Sequence, residues 1–415
     1  MTNEYDVIVI GGGPSGSTAG ALLAEQGHKV LLLEREPFPR YHIGESLIPY
    51  TWFTLKRLGV VDWLQKSACP KKYSVQFVSI TGKVSQPFYF FSTIHHECSQ
   101  TWQVWRGEFD QMLLDNAVKK GVELRQFVTV RDVLMEGSRV VGVRADTKDG
   151  VKGEEIRAKV VIDATGRDSL LSRKFGWKDK DPDLNKIAVW SYFEDAKRDP
   201  GLDEGATTVA YVPQKGWFWY IPLHSNIVSV GVVGEPGYLY RDTRDPDAIF
   251  RREVDDCVWI KERVSVGKQV QPVRVTGEYS YHSKKIGGDG FCLVGDAFAF
   301  LDPLFSTGVF LALKSGETAA DAVHAALQTG RVDAAHFEEY YARQRRAVMS
   351  FRQLVYAFYD LSFSFREFLQ VYPHLNSLIV DTLVGNVFTD LTPLFTALEE
   401  HKAKRTQTEI DVATA

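Results

Sequence analysis

At 415 residues the chain is too long for one small hydrophobic core and fits two closely packed domains. Its 44% hydrophobic and 25% charged residues have the balance of a soluble globular protein, and a net charge of -4 leaves no basic footprint for nucleic acid or an anionic membrane. Scattered Cys69, Cys98, Cys257 and Cys292 exclude a disulfide framework or a zinc ribbon, and with no signal-peptide h-region and no run near the roughly 20 apolar residues that span a bilayer, a cytoplasmic location is expected.

Asp6 to Ile10 reads as a short buried strand, Gly11 to Gly16 as a turn, Ser17 to Gln26 as an Ala- and Leu-rich helix, and Lys29 to Leu33 as a second apolar strand ending at Glu34. This is a βαβ unit, which belongs to a parallel sheet covered by helices. Gly11, Gly13 and Gly16 satisfy GxGxxG. Glycines there allow a tight turn and let backbone N–H groups, Ser15's among them, approach a pyrophosphate at a helix N-terminus. Glu34, followed by Arg35, stands where an acid accepts hydrogen bonds from ribose hydroxyls. No second complete unit of this kind is present for a nicotinamide cofactor.

Gly121 to Ile162 holds several short strands, with hairpin signals at Glu136-Gly137-Ser138 and Lys148-Asp149-Gly150. Val160 to Gly166 is a buried strand and a turn. Ala188 to Val233 alternates apolar and polar residues and reads as an antiparallel sheet, with Trp217 and Trp219 on one face of a strand. Phe291 to Asp296 is an apolar strand ending in Gly-Asp, Val309 to Leu327 a long helix, and the chain from Ala335 to about residue 395 helical. The charged tail after Glu400 is expected to fray. The expected fold is therefore α/β, with a discontinuous Rossmann-like dinucleotide-binding domain of residues 1–70, 103–180 and 275–330. An antiparallel β-sheet substrate domain (71–102 with 181–274) and a C-terminal helical region (331–415) complete it.

Three further segments, Arg106-Gly107-Glu108-Phe109-Asp110, Asp163-Ala164-Thr165-Gly166 and Gly295-Asp296-Ala297, make nearly all of the first 310 residues resemble the FAD-dependent monooxygenase superfamily typified by p-hydroxybenzoate hydroxylase. The resemblance implies that fold, FAD as cofactor, Arg106 against the phosphates or ribityl chain, and Asp296 on ribityl or ribose hydroxyls. Gly216 to Pro222 carries Trp-x-Trp-x-Ile-Pro, which is similar to the signature of flavin-dependent halogenases. In that family the two indoles keep the organic substrate away from the flavin; on residue type alone, Trp217 and Trp219 read better as core packing. Phe300 to Gly308 fits a second halogenase pattern, Phe-x-x-Pro-x-x-Ser-x-Gly. It implies Pro303 and Gly308 beside the flavin, Ser306 near the chemistry, and a halide at the N–H groups of Thr307 and Gly308, where a helix N-terminus favours an anion.

Registering Pro70 and Phe77 with the family pattern makes Lys72 the lysine between flavin and substrate, with Lys71 in reserve. The resemblance places it beyond the indoles, roughly 10 Å from the flavin's reactive edge, too far for direct attack. Ile43 to Leu47 resembles the loop against the flavin ring, which assigns Gly44, Glu45 and Ser46 to the cofactor. Tryptophan halogenases are longer and carry a Glu near the position of Ser306, so this chain is more similar to halogenases of phenols and pyrroles, several of which act on carrier-protein-tethered substrates.

The implied activity is that of an FADH2-dependent halogenase of antibiotic biosynthesis. Reduced FAD comes from a separate reductase, and O2 with chloride or bromide yields hypohalous acid. Lys72 forms a haloamine or holds that acid by a hydrogen bond, and an electron-rich phenolic or pyrrolic ring is substituted. The same scaffold also fits an FAD-dependent monooxygenase or dehydrogenase, a geranylgeranyl-reductase-like enzyme, or a non-enzymatic FAD-binding sensor. No metal site is expected, because His95 and His96 point to opposite strand faces and no third ligand is spaced for zinc. The aromatic stretch Phe351 to Tyr372 reads as a helix covering the active-site domain.

Overall fold

The computed structural model describes residues 4–213, 216–277, 280–360 and 363–414, with side chains described as far as residue 404. Within them, strand Glu4–Ile10 lies parallel to Val30–Glu34 on one side and to Glu154–Asp163 on the other. Glu123–Gln126 and Phe291–Leu293 extend the parallel run outward from these, so its spatial order is 291–293, 154–163, 4–10, 30–34, 123–126. The central strands are apolar on both faces, as helix-covered parallel strands must be. The hairpin strands Val128–Glu136 and Arg139–Thr147 attach antiparallel to Glu154–Asp163.

The first helix runs Pro14–Glu25 and so starts earlier than Ser17. Pro14 is the reason: in the first turn of a helix its missing N–H costs nothing and its fixed φ suits the helix. Helix Gly308–Gln328 packs against it at very short range, and a Cβ on Gly316 would lie 2.4 Å from the Ser15 carbonyl oxygen. A sequence position beyond 300 thus supports the turn at positions 11–16.

A second, larger-faced sheet has the order Lys268–Gln269, Ile187–Glu194, Ile227–Gly234, Gly216–Pro222, Thr207–Val212, Ser74–Val78, Phe88–Tyr89. All its pairings are antiparallel except that of Ser74–Val78 with Thr207–Val212. Alternation sorts its side chains. Phe218, Tyr220, Val230 and Val232 pack under the helices Pro246–Asp256 and Val258–Val264, while Trp190, Tyr192, Trp217 and Trp219 form a separate apolar cluster on the other face.

Helix Glu338–Tyr359 crosses behind both sheets: Phe351 enters the main core and Phe358 the tryptophan cluster. The aromatic stretch therefore covers the inside of the molecule, although its residues 361–362 lie outside the described residues. The tail corrects an expectation. Helix Thr392–Thr414 continues through the charged segment that was expected to fray, in keeping with the good helix formers Ala, Lys, Glu and Gln there. Among the described residues no helix is long and apolar enough to cross a membrane.

Candidate active site

A cavity of about 760 Å³ runs from the glycine turn to the tryptophan strand. At its outer end the chain leaves the first strand through Gly11, whose φ of +104° suits glycine. A Cβ there would lie 2.4 Å from the Ala164 carbonyl oxygen. Helix Pro14–Glu25 is capped by Gly13 without a side-chain hydrogen bond, so its first-turn donors face the cavity uncapped, and Gly13 and Ser15 line it. The buried Glu34 carboxylate accepts from Gly12 N at 2.7 Å and Glu36 N at 2.9 Å, which fixes it at the cavity edge with lone pairs to spare. An uncapped helix start, glycines where a Cβ would clash and an anchored acid fit the pyrophosphate and ribose of a dinucleotide.

Arg35 lines the cavity and is ion-paired with Asp168 on the opposite strand-to-helix turn. Arg40, Arg167 and Arg173 line it too. Sequence reasoning missed these three, because no local pattern separates them from surface arginines. Asp296 lines the middle; burial pushes its carboxyl up to about 6, opposed by Arg167, Arg106 and Lys178. Within the chain Arg106 is held by four hydrogen bonds. Its Nε and Nη2 donate to Asp110 at 2.8 and 3.0 Å, and Nη1 donates to the carbonyls of Ile43 at 2.7 Å and Gly44 at 3.3 Å. It borders the cavity mainly as a clamp on the loop that carries Gly44, Glu45 and Ser46, all three of which line the cavity.

Lys72 and Lys71 separate cleanly. Lys71 is exposed, whereas Lys72 is 1% exposed. The Lys72 amine donates to Ser46 Oγ at 2.8 Å and to the Leu47 carbonyl at 3.0 Å, and stands 5.6 Å from the centre of the Phe90 ring. Ser46 in turn shares a 2.8 Å hydrogen bond with Thr207, and Ser46 and Thr207 form part of the cavity wall. Lys72 therefore sits one side chain behind that wall. Burial alone pushes its amine down to about 7, so a neutral, nucleophilic form is accessible near neutral pH.

Trp217 and Trp219 both line the cavity, with ring centres 6.2 Å apart. The Trp217 indole N–H donates to Tyr359 at 2.8 Å and that of Trp219 to Ser229 at 3.0 Å. Trp190, which the sequence did not single out, stands 6.2 Å from Trp219 and extends the wall. Gly231 makes the space. It pairs with both Trp190 and Trp219 across the sheet, and a Cβ on it would lie 2.2 Å from Trp219 Cζ2 and 2.5 Å from Trp190 Cβ. Gly231→Ala should therefore destabilise the protein by about 1–3 kcal/mol in urea unfolding and alter tryptophan fluorescence, as overpacking does. An unchanged midpoint and spectrum would show that the wall has slack.

The segment Phe300 to Gly308 forms the other side. Asp302 accepts from Leu304 N at 3.1 Å and from the Tyr359 hydroxyl at 2.9 Å, and burial pushes its carboxyl up to about 6. Tyr359 thereby ties this loop to Trp217. Ser306 adopts φ +56°, closing the turn before helix Gly308–Gln328, and Pro303, Ser306 and Gly308 line the cavity with Thr307 buried between them. The Thr307 side chain makes no cap hydrogen bond. Away from the cavity, His96 accepts from Cys98 N and packs on Trp52 and Phe53.

The chain matches the family model described as tryptophan halogenase over residues 6–105 and 81–365. It is 32% identical to the 1H-pyrrole-2-carbonyl-[peptidyl-carrier protein] chlorinase of Pseudomonas fluorescens, over 93% of this chain and 90% of that one. It is 33% identical to the corresponding brominase of Pseudoalteromonas luteoviolacea, over 78% of each. Its fold is similar to that of the flavin-dependent brominase Bmp2, with a TM-score of 0.87, 30% identity, and coverage of 97% of this chain and 100% of that one.

Proposed function

The chain belongs to the tryptophan halogenase family and is a flavin-dependent halogenase, and on that premise we propose that it halogenates a pyrrole ring held as a thioester on a carrier protein. The single observation that carries the site assignment is the buried amine of Lys72 behind a cavity wall that also presents Trp217 and Trp219. The two carrier-protein relatives, matched over most of their length, support the substrate class. The absence of an acid at Ser306 is in keeping with it.

When bound, reduced FAD supplies the electrons with which O2 oxidises chloride or bromide to hypohalous acid, and a separate reductase returns it to the reduced state. The parallel sheet and glycine turn support a dinucleotide fold of the p-hydroxybenzoate hydroxylase type. In this reading the first-turn N–H groups at Gly13 and Ser15 hold the pyrophosphate, and Glu34 holds a ribose. Asp296 and the clamped loop Gly44 to Ser46 bound the flavin. The backbone N–H groups of Thr307 and Gly308 hold the halide at the start of a 21-residue helix. The indoles of Trp217 and Trp219 keep the pyrrole from the flavin. Neutral Lys72 then takes the halogen from hypohalous acid, with its amine proton leaving in water, and passes it to the ring, from which the amine regains a proton; alternatively it hands the acid on by a hydrogen bond.

The test supplies the enzyme with a flavin reductase, FAD, bromide, air and a pyrrole-2-carbonyl carrier protein, and reads the carrier by mass spectrometry. The expected product shows the isotope doublet of bromine. An oxygen adduct without bromine, or equal turnover of free tryptophan, would overturn the assignment.

A further inference from the structure

The cavity has a second polar feature that takes no part in the halogen transfer. Glu45, 1% exposed, stands in the wall, and its Oε1 accepts from the Tyr192 hydroxyl at 2.7 Å. Tyr192 is fully buried and does not line the cavity. Its hydroxyl is 3.0 Å from that of Tyr41, which accepts from the Trp190 indole N–H at 2.7 Å. Tyr41 is 42% exposed and, like Trp190, lines the cavity. The donor directions are set by chemistry: an indole N–H only donates, and an ionised carboxylate only accepts. The Trp190 N–H thus occupies the Tyr41 oxygen, the Tyr41 proton turns to Tyr192, and the Tyr192 proton turns to Glu45. Every donor in the row points inward.

We propose that Tyr41, Tyr192 and Glu45 form a proton relay that starts at the half-exposed Tyr41, passes through the buried Tyr192 behind the cavity wall and ends at Glu45 in that wall. It rests on the halogenase activity, whose halide oxidation must consume a proton: FADH2, O2, a halide ion and one H⁺ balance against FAD, hypohalous acid and H2O. A cavity filled by cofactor and substrate excludes the water that would otherwise carry that proton, whereas the hydrogen-bonded path through Tyr192 joins Tyr41 to Glu45 without water between them. The hop is concerted. Protonated Glu45 carries its proton on Oε2, the oxygen Tyr192 does not reach; it gives up that proton toward the cavity as Oε1 takes the proton of Tyr192, Tyr192 takes that of Tyr41, and Tyr41 is reprotonated by water. No tyrosinate is left standing, which suits Tyr192 and Tyr41, because burial pushes both phenols above the ordinary value.

The groups around the inner end suit the task. Burial pushes the Glu45 carboxyl up to about 7, while Ser229 and Tyr192 by hydrogen bonds and Arg106 by its charge hold it down. Glu45 therefore exchanges a proton near neutral pH. Trp105 stacks on Tyr192 at 5.2 Å and Arg274 covers the Tyr41 ring at 3.9 Å, which fixes both rings.

Two measurements test the relay on the full chain. The first is an infrared titration of the Glu45 carboxyl band in flavin-free protein, with the band identified by its loss in Glu45→Gln. Tyr192→Phe removes a hydrogen bond to the ionised form, so the titration midpoint should rise by about one pH unit. The second is hypobromous acid formation by holoenzyme with reduced FAD, bromide and O2. Tyr192→Phe and Tyr41→Phe should each slow it roughly ten- to hundredfold, with a larger solvent isotope effect and recovery on adding a small buffer acid such as acetic acid. FAD affinity should stay unchanged in Tyr192→Phe, whose side chain does not line the cavity. Slow variants that no buffer acid rescues, or wild-type rates in both, would overturn the relay. If the wild type forms no hypobromous acid, the halogenase activity fails instead, and an unmoved Glu45 midpoint in Tyr192→Phe overturns the relay independently.

Discussion

Lys72→Met should cut halogenated product by at least about 10³-fold while leaving FAD binding and oxygen consumption by reduced FAD near their wild-type values. The same substitution should make the protein more stable. The unfolded chain holds this amine at the ordinary value of 10.5, but burial lowers it to about 7 in the folded state. Between those values the unfolded state binds more protons, so stability rises with pH across the window, and the penalty of burying the charge is fully present below pH 7. Met keeps the side-chain volume and removes the charge. The gain, on the order of a few kcal/mol at pH 7 or below and gone by about pH 10.5, follows from about 1.4 kcal/mol for each pH unit between the two values, less what Ser46 and Leu47 lose as partners. Urea unfolding of the two proteins at pH 6 and pH 10 reads it. A variant that is inactive and also less stable at pH 6 would point to a structural lysine, and one that halogenates normally would remove Lys72 from the mechanism.

Gly16→Ala should weaken FAD binding about a hundredfold, or near 2.7 kcal/mol. The added methyl would lie 2.0 Å from the Gly11 carbonyl oxygen and 3.0 Å from Ala164 Cβ. Neither neighbour is a flexible side-chain end, so strand and helix must part, and the uncapped N–H groups of the first turn lose their aim. Flavin fluorescence titration measures the loss. Tight FAD binding by the variant would mean that the phosphates are held elsewhere, for instance by Arg40 or Arg173, which are among the arginines that line the cavity.

What could be read from the sequence was local. The glycine turn, Glu34 and the paired tryptophans each carry their geometry within a few residues, through turn chemistry or the two-residue period of a strand. Lys72 was legible only by register with a family pattern, since nothing in Pro70-Lys71-Lys72 itself says which amine is buried. Arg106 lines the cavity, but its partners within the chain were not foreseen, because Asp110 one turn along its helix and the carbonyls of Ile43 and Gly44 take up its donors. Trp190, Tyr192, Thr207 and Tyr41 carried no signal at all. They meet through pairings such as Trp190 with Gly231 and then Gly231 with Trp219, which join residues far apart in the chain. The start of the first helix was shifted by a single proline, and the tail was misjudged by weighing its charge above its helix propensity.

The strand Phe291–Leu293 and the helix Gly308–Gln328 that seats on the glycine turn have a consequence for how the protein comes into being. A ribosome releases the first strand, the turn and the second strand early, but the neighbour of strand Glu154–Asp163 and the support beneath Ser15 emerge only after the whole intervening sheet. Tyr359, which joins the Trp217 wall to the Asp302 loop, follows later still. Non-local pairings of this kind pay their loop-closure entropy before they return any contact energy. A nascent chain that ends before these residues lacks the support beneath the glycine turn, so tight flavin binding is expected only after they emerge. A chain truncated after residue 290 should accordingly retain little FAD affinity and resist proteolysis poorly, a difference that flavin titration and limited proteolysis would read.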